Sequence, residues 1–315
     1  MNTLSLLTQS IEILIAILAA PLFLGWINQC RAWLQNRRAP SLLQPYRGVR
    51  KLFHKDAVLA GNASPLFRLA PYVVFGTMAL AAAIIPSIGT GLPLSVAADS
   101  VALVGLLATA RVFMSLAAMD VGTAFGTLGA RREMMVGFLA EPALLMVLFV
   151  AALISQSTSL PLIAAALSSR SLALDPALAF IAVAFTMVLL AENARIPVDN
   201  PATHLELTMI HEAMLLEYSA RHLALMEWAA ALKLLNYATI GFALFLPWGL
   251  ASVASGPLGV LLAVPLLAAK LTIAGLALAL IETVSAKLRV FRAPEYLATA
   301  FLFAVLGLLV QLLTS

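Results

Sequence analysis

Cysteine and charge are the two things this 315-residue chain has least of. Its single thiol, Cys30, excludes a disulfide framework. It also excludes an iron–sulfur cluster held by this chain alone, because clusters take about four thiolates. Charged residues make up only 11% and apolar ones 62%, whereas soluble domains carry roughly a quarter charged. Two soluble domains of ordinary length are therefore ruled out. Catalytic motifs are scarce as well. There is no glycine-rich phosphate loop, and no serine–histidine–acid pattern stands out. His211-Glu212 opens like the HExxH of a metalloprotease, but the second histidine position is Leu215, so that zinc motif fails. The expectation is a chain with no catalytic residue, no metal site and no cofactor of its own, and with no nucleic-acid partner.

Long apolar runs are what it does have. A membrane-crossing helix takes roughly 20 mostly apolar residues, and eight stretches qualify: 9–29, 66–86, 98–119, 135–155, 176–192, 223–247, 257–281 and 295–313. The first is not a secretory signal, since no basic segment precedes it and the basic residues follow it. The expected fold is an all-α integral membrane protein, one membrane domain over 1–315, with loops at 30–65, 120–134, 192–222 and 282–294. Of 19 Lys and Arg, fifteen fall after the odd-numbered spans, and Arg170 alone falls after an even one. By the excess of positive charge on the cytoplasmic side, those four loops face the cytoplasm and both termini face outward.

Two of the loops carry information. In the first, Leu42, Tyr46, Val49 and Phe53 recur at the period of one helical face, with Arg47, Arg50, Lys51 and Lys55 on the other. Such a helix lies at the headgroup level, its cations drawn to anionic lipid, or it forms a dock for a soluble protein. The third loop packs Glu192, Arg195, Asp199, His204, Glu206, His211, Glu212, Glu217, Arg221 and His222 into 31 residues. Pro197 and Pro201 disfavour helix at Ile196 and Asn200. They predict a non-helical turn that exposes Asp199 towards a partner.

Six charges fall inside the expected spans: Glu12, Arg111, Glu141, Glu227, Lys233 and Lys270. Each costs at least about 2.5–3.5 kcal/mol on insertion scales unless compensated, so they must face one another or water. Glu141 stands out, because Pro142 cannot donate to the carbonyl of Phe138 and leaves a local polar spot. For Glu12 and Arg111 a structural ion pair between helices is a sufficient reading.

The stretch Ala191-Glu192-Asn193-Ala194-Arg195-Ile196-Pro197-Val198-Asp199, with Glu206 and Glu217-Tyr218-Ser219 after it, resembles the signature loop of the complex I subunit 1 family. Arg37-Arg38-Ala39-Pro40 and Lys51-Leu52-Phe53 resemble that family's first basic loop, and Gly129-Ala130-Arg131-Arg132-Glu133 its second. Pro197 through Glu212 is closer to the branch found in formate hydrogenlyase and hydrogenase-4 type complexes. The quinone-reducing branch usually has Phe after the proline, and Gly-Pro-Asn where this chain has Arg38-Ala39-Pro40-Ser41.

The resemblance implies a non-catalytic subunit of an oxidoreductase complex in the bacterial inner membrane. Such a subunit anchors soluble hydrogenase large and small subunits, which hold the nickel–iron centre and iron–sulfur clusters, beside antiporter-like membrane subunits in the lipid bilayer. It further implies an ion path through Glu141, Glu192, Asp199, Glu206, Glu212 and Glu217, with Arg131 and Arg195 as partner cations. Docking falls to Arg47, Arg50 and Lys51. The alternatives are a quinone-site subunit of a complex I-type NADH dehydrogenase and a stand-alone ion carrier.

Overall fold

The computed structural model describes residues 3–91, 93–169, 175–199, 209–251 and 256–314. Eleven α-helices run through those residues, in chain order α1 (Thr3–Leu34), α2 (Gln44–Phe53), α3 (Pro65–Ile84), α4 (Ser100–Asp120), α5 (Ala124–Ser155), α6 (Leu160–Ser168), α7 (Pro176–Glu192), α8 (His211–Leu215), α9 (Ala220–Phe245), α10 (Gly256–Val284) and α11 (Ala293–Thr314). Seven of them, α1, α3, α4, α5, α9, α10 and α11, are long and apolar enough to cross a membrane. The expected fifth span, 176–192, is α7, an apolar helix of 17 residues. At 1.5 Å per residue it reaches about 25 Å, short of a typical hydrocarbon core of about 30 Å. The chain is a multi-pass membrane protein, and its lipid-facing exterior is visible in the exposed Phe138, Leu261, Ile273, Leu302 and Leu313.

Local chemistry sets the helix ends. The side chains of Ser64, Asp99, Thr123 and Asp175 each accept from a backbone N–H in the first turn of the helix that follows, and Pro65 and Pro176 begin two of those helices. The Thr123 cap starts α5 earlier than hydropathy suggests. Most of the 120–134 segment expected as a loop is therefore helix, with Arg131, Arg132 and Glu133 on it. Between helices, alanines such as Ala81, Ala117, Ala130, Ala143, Ala184 and Ala300 are buried to 5% exposure or less. Small side chains let the backbones approach closely where lipid offers no hydrophobic drive to associate.

Hydrogen bonds define two ends of the bundle. At one end Ser64 N–H donates to Asp120, Val58 and Ser219 bond reciprocally, Arg132 donates to the carbonyl of Met209, and Leu288 N–H donates to that of Pro197. All four long odd-numbered connections meet there. At the other end isolated bridges join Gly89 to Ala251 and Asp99 to Ser159.

Candidate functional site

Four helices deliver charge to one buried place. Arg111 comes from the middle of α4, Glu133 and Glu141 from α5, Glu192 from the last position of α7, and Lys233 from the middle of α9. Arg111 pairs with Glu141 through Nη1, with Glu192 through Nη2, and with Glu133 at 3.5 Å through Nε. Lys233 Nζ lies 2.9 Å from the same Glu192. Arg111, Glu133 and Glu192 are each at most 6% exposed. Buried charges of this kind persist only when paired. Glu133, Gly137 and Glu141 follow one another at intervals of four, so they share one side of α5. A Cβ on Gly137 would sit 2.6 Å from Arg111 Cδ, so the missing side chain is what lets the guanidinium cross α5 between the two acids.

A chamber of about 830 Å³ opens beside this cluster, between α1, α2, α9 and the α7–α8 connection. Glu192, Lys233, Asp199, Arg195, His211 and Glu212 line its inner part, and Arg37, Arg38, Arg47 and Lys51 lie towards its outer part. The α2 helix borders it: Val49 is buried, while Arg47, Arg50 and Lys51 are exposed. Of the other residues expected on its apolar face, Phe53 is 43% exposed and Leu42 precedes the helix. Burial pulls the His211 imidazole below its ordinary pKa against the opposing pull of Glu133.

The α7–α8 connection is held by a second set of pairs. Arg195 Nη1 donates to Glu282 of α10 at 3.1 Å, Arg31 of α1 approaches the same carboxylate at 3.6 Å, and Lys287 lies 3.5 Å from Asp199. Burial lowers the Arg195 pKa, and Glu282 opposes that shift. A turn follows Glu192, with Ala194 left-handed at φ 50° and Arg195 N–H donating to the carbonyl of Leu190. Helix α7 thus stops short of Pro197, as that proline predicts. Asp199, however, is not exposed: it is 2% accessible and paired with Lys287. Pro201 and Glu206 lie outside the described residues.

The structure therefore brings Glu141 and Glu192 together through Arg111, and sets Arg195, Asp199 and Glu212 around the chamber. It does not bring in Arg131, which is exposed while its neighbour Arg132 ties down Met209. Glu217 is half-buried and does not line the chamber. Two acids escaped the sequence reading. Glu133 was read only as the end of the Gly129–Glu133 motif and not as a site residue, and Glu282 was legible only as the last acid before the basic 287–292 connector.

Of the remaining span charges, Glu227 lines the chamber, and Lys270 and Glu12 bond to backbone. Lys270 Nζ donates to the carbonyls of Leu246 and Trp248 at the end of α9, at 2.5 and 2.6 Å. Glu12 accepts from the turn after α3.

A bundle of apolar helices with a paired charge cluster in its interior and a chamber opening beside that cluster defines a multi-pass membrane protein with a charged interior. The chain belongs to the NADH dehydrogenase family, that of complex I subunit 1, whose sequence pattern matches residues 8–313. It is 34% identical over 304 residues to formate hydrogenlyase subunit 4 of Escherichia coli (strain K12), covering 96% of this chain and 97% of that one. It is 36% identical over 239 residues to hydrogenase-4 component C of the same organism, covering 76% and 74%. In fold it is similar to a chain in the membrane-bound sulfane sulfur reductase, an archaeal respiratory membrane complex. That match has a TM-score of 0.83 at 20% identity, over 98% of this chain and 99% of the other.

Proposed function

We propose that this chain is the membrane anchor and coupling subunit of a hydrogenase complex. In this reading it crosses the bacterial inner membrane eight times with both termini outside. Its loop face docks a soluble nickel–iron, iron–sulfur module, and a proton or ion path into the membrane arm begins beneath that face. The relatives carry the names of a hydrogenlyase subunit and a hydrogenase component, which supports a role as one part of a larger assembly over a stand-alone carrier.

The observation that carries the path is the buried cluster. Three carboxyls, Glu133, Glu141 and Glu192, face two cations, Arg111 and Lys233. With every group ionised the cluster carries one excess negative charge in a low-dielectric interior. One proton taken up restores neutrality, and interacting carboxyls hold such a proton as a group. Glu141 is the acid among them best placed to exchange it, with its side chain about a third exposed where Glu192 is sealed. Conformational changes at the chamber would alter which pair is closest and so move the proton.

Substituting Glu141→Gln keeps size and polarity but abolishes titration. The expected result is an assembled complex with normal metal content and normal electron transfer to a soluble acceptor, but with ion movement lost or slowed by on the order of a hundredfold. An assembled mutant that couples at the wild-type rate would remove Glu141 from the path. Poor assembly with coupling and catalysis falling together would make it a structural ion-pair partner instead.

The chamber favours a second reading, a quinone site, since about 830 Å³ is within the range of small-molecule pockets. Quinone reductase activity without nickel in the purified complex would select that reading.

A further inference from the structure

The ion pairs leave the chamber with unmatched positive charge. Seven cations and four acids line it. Arg31 and Arg195 meet Glu282 of α10, Lys233 meets Glu192, and Asp199 meets Lys287. What remains is Arg37, Arg38, Arg47 and Lys51, none with an acid partner among the described residues, against Glu212 and Glu227. All four of those cations are exposed.

Exposed cations by themselves mark only a solvated surface. These are interleaved in the chain with exposed apolar side chains: Trp33, Leu34, Leu43 and Phe53 are 41–55% exposed. Water suits the cations and not the apolar groups, and hydrocarbon suits the reverse. The headgroup layer of a membrane takes both, and it is where aromatic side chains and basic amphipathic helices collect.

Depth along α1 agrees. Pro21, Leu24, Asn28, Arg31 and Gln35 of α1 line the chamber, at alternating steps of three and four, so they form one stripe. The stripe is about 21 Å long. The apolar span of α1, Gln9–Leu34, has 26 residues and reaches about 39 Å, roughly 9 Å more than a hydrocarbon core. Pro21 lies about 18 Å along that span. The inner end of the stripe is therefore in hydrocarbon and its outer end at the headgroups. The lining changes to match. Ala231 and Leu234 of α9 join Pro21 and Leu24 in the apolar part, whereas the unmatched cations all lie in 37–51, after α1 has ended.

We propose that the mouth of this chamber binds an acidic phospholipid. Arg37 and Arg38 hold its phosphate, Arg47 and Lys51 complete the basic rim, and one acyl chain lies along the α1 stripe towards Pro21. A guanidinium suits the task because its planar fork pairs two phosphate oxygens at once. A neutral quinone has no use for four unmatched cations, and a free anion has none for the apolar stripe. An amphiphile with an anionic head satisfies both. The site rests on the chamber and its lining and not on the hydrogenase reading, and its lipid competes with a quinone for the same space.

Lipid extracted from the purified complex after extensive detergent washing tests the site. Mass spectrometry should find phosphatidylglycerol or cardiolipin retained and enriched over phosphatidylethanolamine, relative to the membrane of origin. In the double variant Arg37→Gln with Arg38→Gln the apparent affinity for acidic lipid should fall about thirtyfold, and the enrichment should vanish. Hydrogen exchange in the delipidated wild-type complex reads the same site without a substitution. Exchange over 37–53 should slow when phosphatidylglycerol is added in bicelles, and stay unchanged with phosphatidylcholine bicelles or with inorganic phosphate. Retention of the membrane's own headgroup mixture, unaltered in the double variant, would overturn the site. So would protection by inorganic phosphate equal to that by phosphatidylglycerol, which marks a free-anion site. Protection by a short-chain quinone, with phosphatidylglycerol having no effect, would overturn it in favour of the quinone reading.

Discussion

Arg111 is the residue on which the interior charges depend. Its guanidinium has donors on three sides, and the structure uses them for Glu133, Glu141 and Glu192. A lysine, with one point charge, could not face three acids at once. Removing the cation leaves Lys233 alone against the buried Glu133 and Glu192 and the partly exposed Glu141. Breaking a buried pair by deleting one partner costs about 3–5 kcal/mol, and Arg111→Leu should destabilise by that order. Gly137→Ala should act more mildly, about 1–3 kcal/mol, by pushing the guanidinium off its crossing of α5. Thermal inactivation of the detergent-solubilised complex reads both. A Gly137→Ala complex as stable as wild type would mean that Arg111 has another way across. Neither role is local to the sequence around Arg111, which is a plain apolar helix.

Among the elements, α2 shows how a loop becomes part of a membrane protein. Its apolar face was legible because four residues recur at helical spacing, and its seat was not. That seat is Gly25 of α1, where a Cβ would run into the carbonyl oxygen of Leu42. The colliding atom is backbone, so the contact cannot be relieved by a rotamer. Gly25→Ala should therefore lift the start of α2 and cost about 1–3 kcal/mol. Faster hydrogen exchange over 42–53 in the variant, with α3 and α9 unchanged, is the expected signature. Unchanged exchange would show that the loop has slack.

The same contrast runs through the other elements. Apolar runs of membrane length located the long helices, because lipid leaves a chain few other choices. Helix α5, however, starts at Ala124 and not at 135, and α7, the expected fifth span, is shorter than the seven membrane-length helices. Polar density did not reveal depth: Asp199, in the most polar stretch, is sealed against Lys287, while Arg131 beside the buried Glu133 is exposed. Such outcomes depend on which distant helix arrives, and α10 supplies Glu282 from 87 residues beyond Arg195.

For the molecule as a whole, the sum of these contacts is asymmetry. The connections at one end are stitched to each other, and they carry the exposed cations Arg47, Arg50 and Lys51 next to the chamber. The buried cations are already matched by acids, so the free positive field on this face comes from exposed cations. Of these α2 and its flanks carry a dense group, in addition to Arg68, Arg131, Arg221, Arg289 and Arg292. A soluble module presenting carboxylates there would be steered by that field and held in a salt-dependent way. Each exposed pair contributes about 0.2–1 kcal/mol, so losing three is worth roughly tenfold in affinity, and reversing them somewhat more. Replacing Arg47, Arg50 and Lys51 together with Glu should release the proposed soluble module from washed membranes at a salt concentration that leaves the wild type bound. The ion cluster lies beneath the chamber and away from these side chains, so fold and membrane insertion should be unaffected, which quantifying the subunit in the membrane fraction checks. Restoring one cation at a time should restore retention stepwise but not additively, since the three stand within about one turn of α2. Retention of the module by the triple variant at every salt concentration would place the docking surface elsewhere.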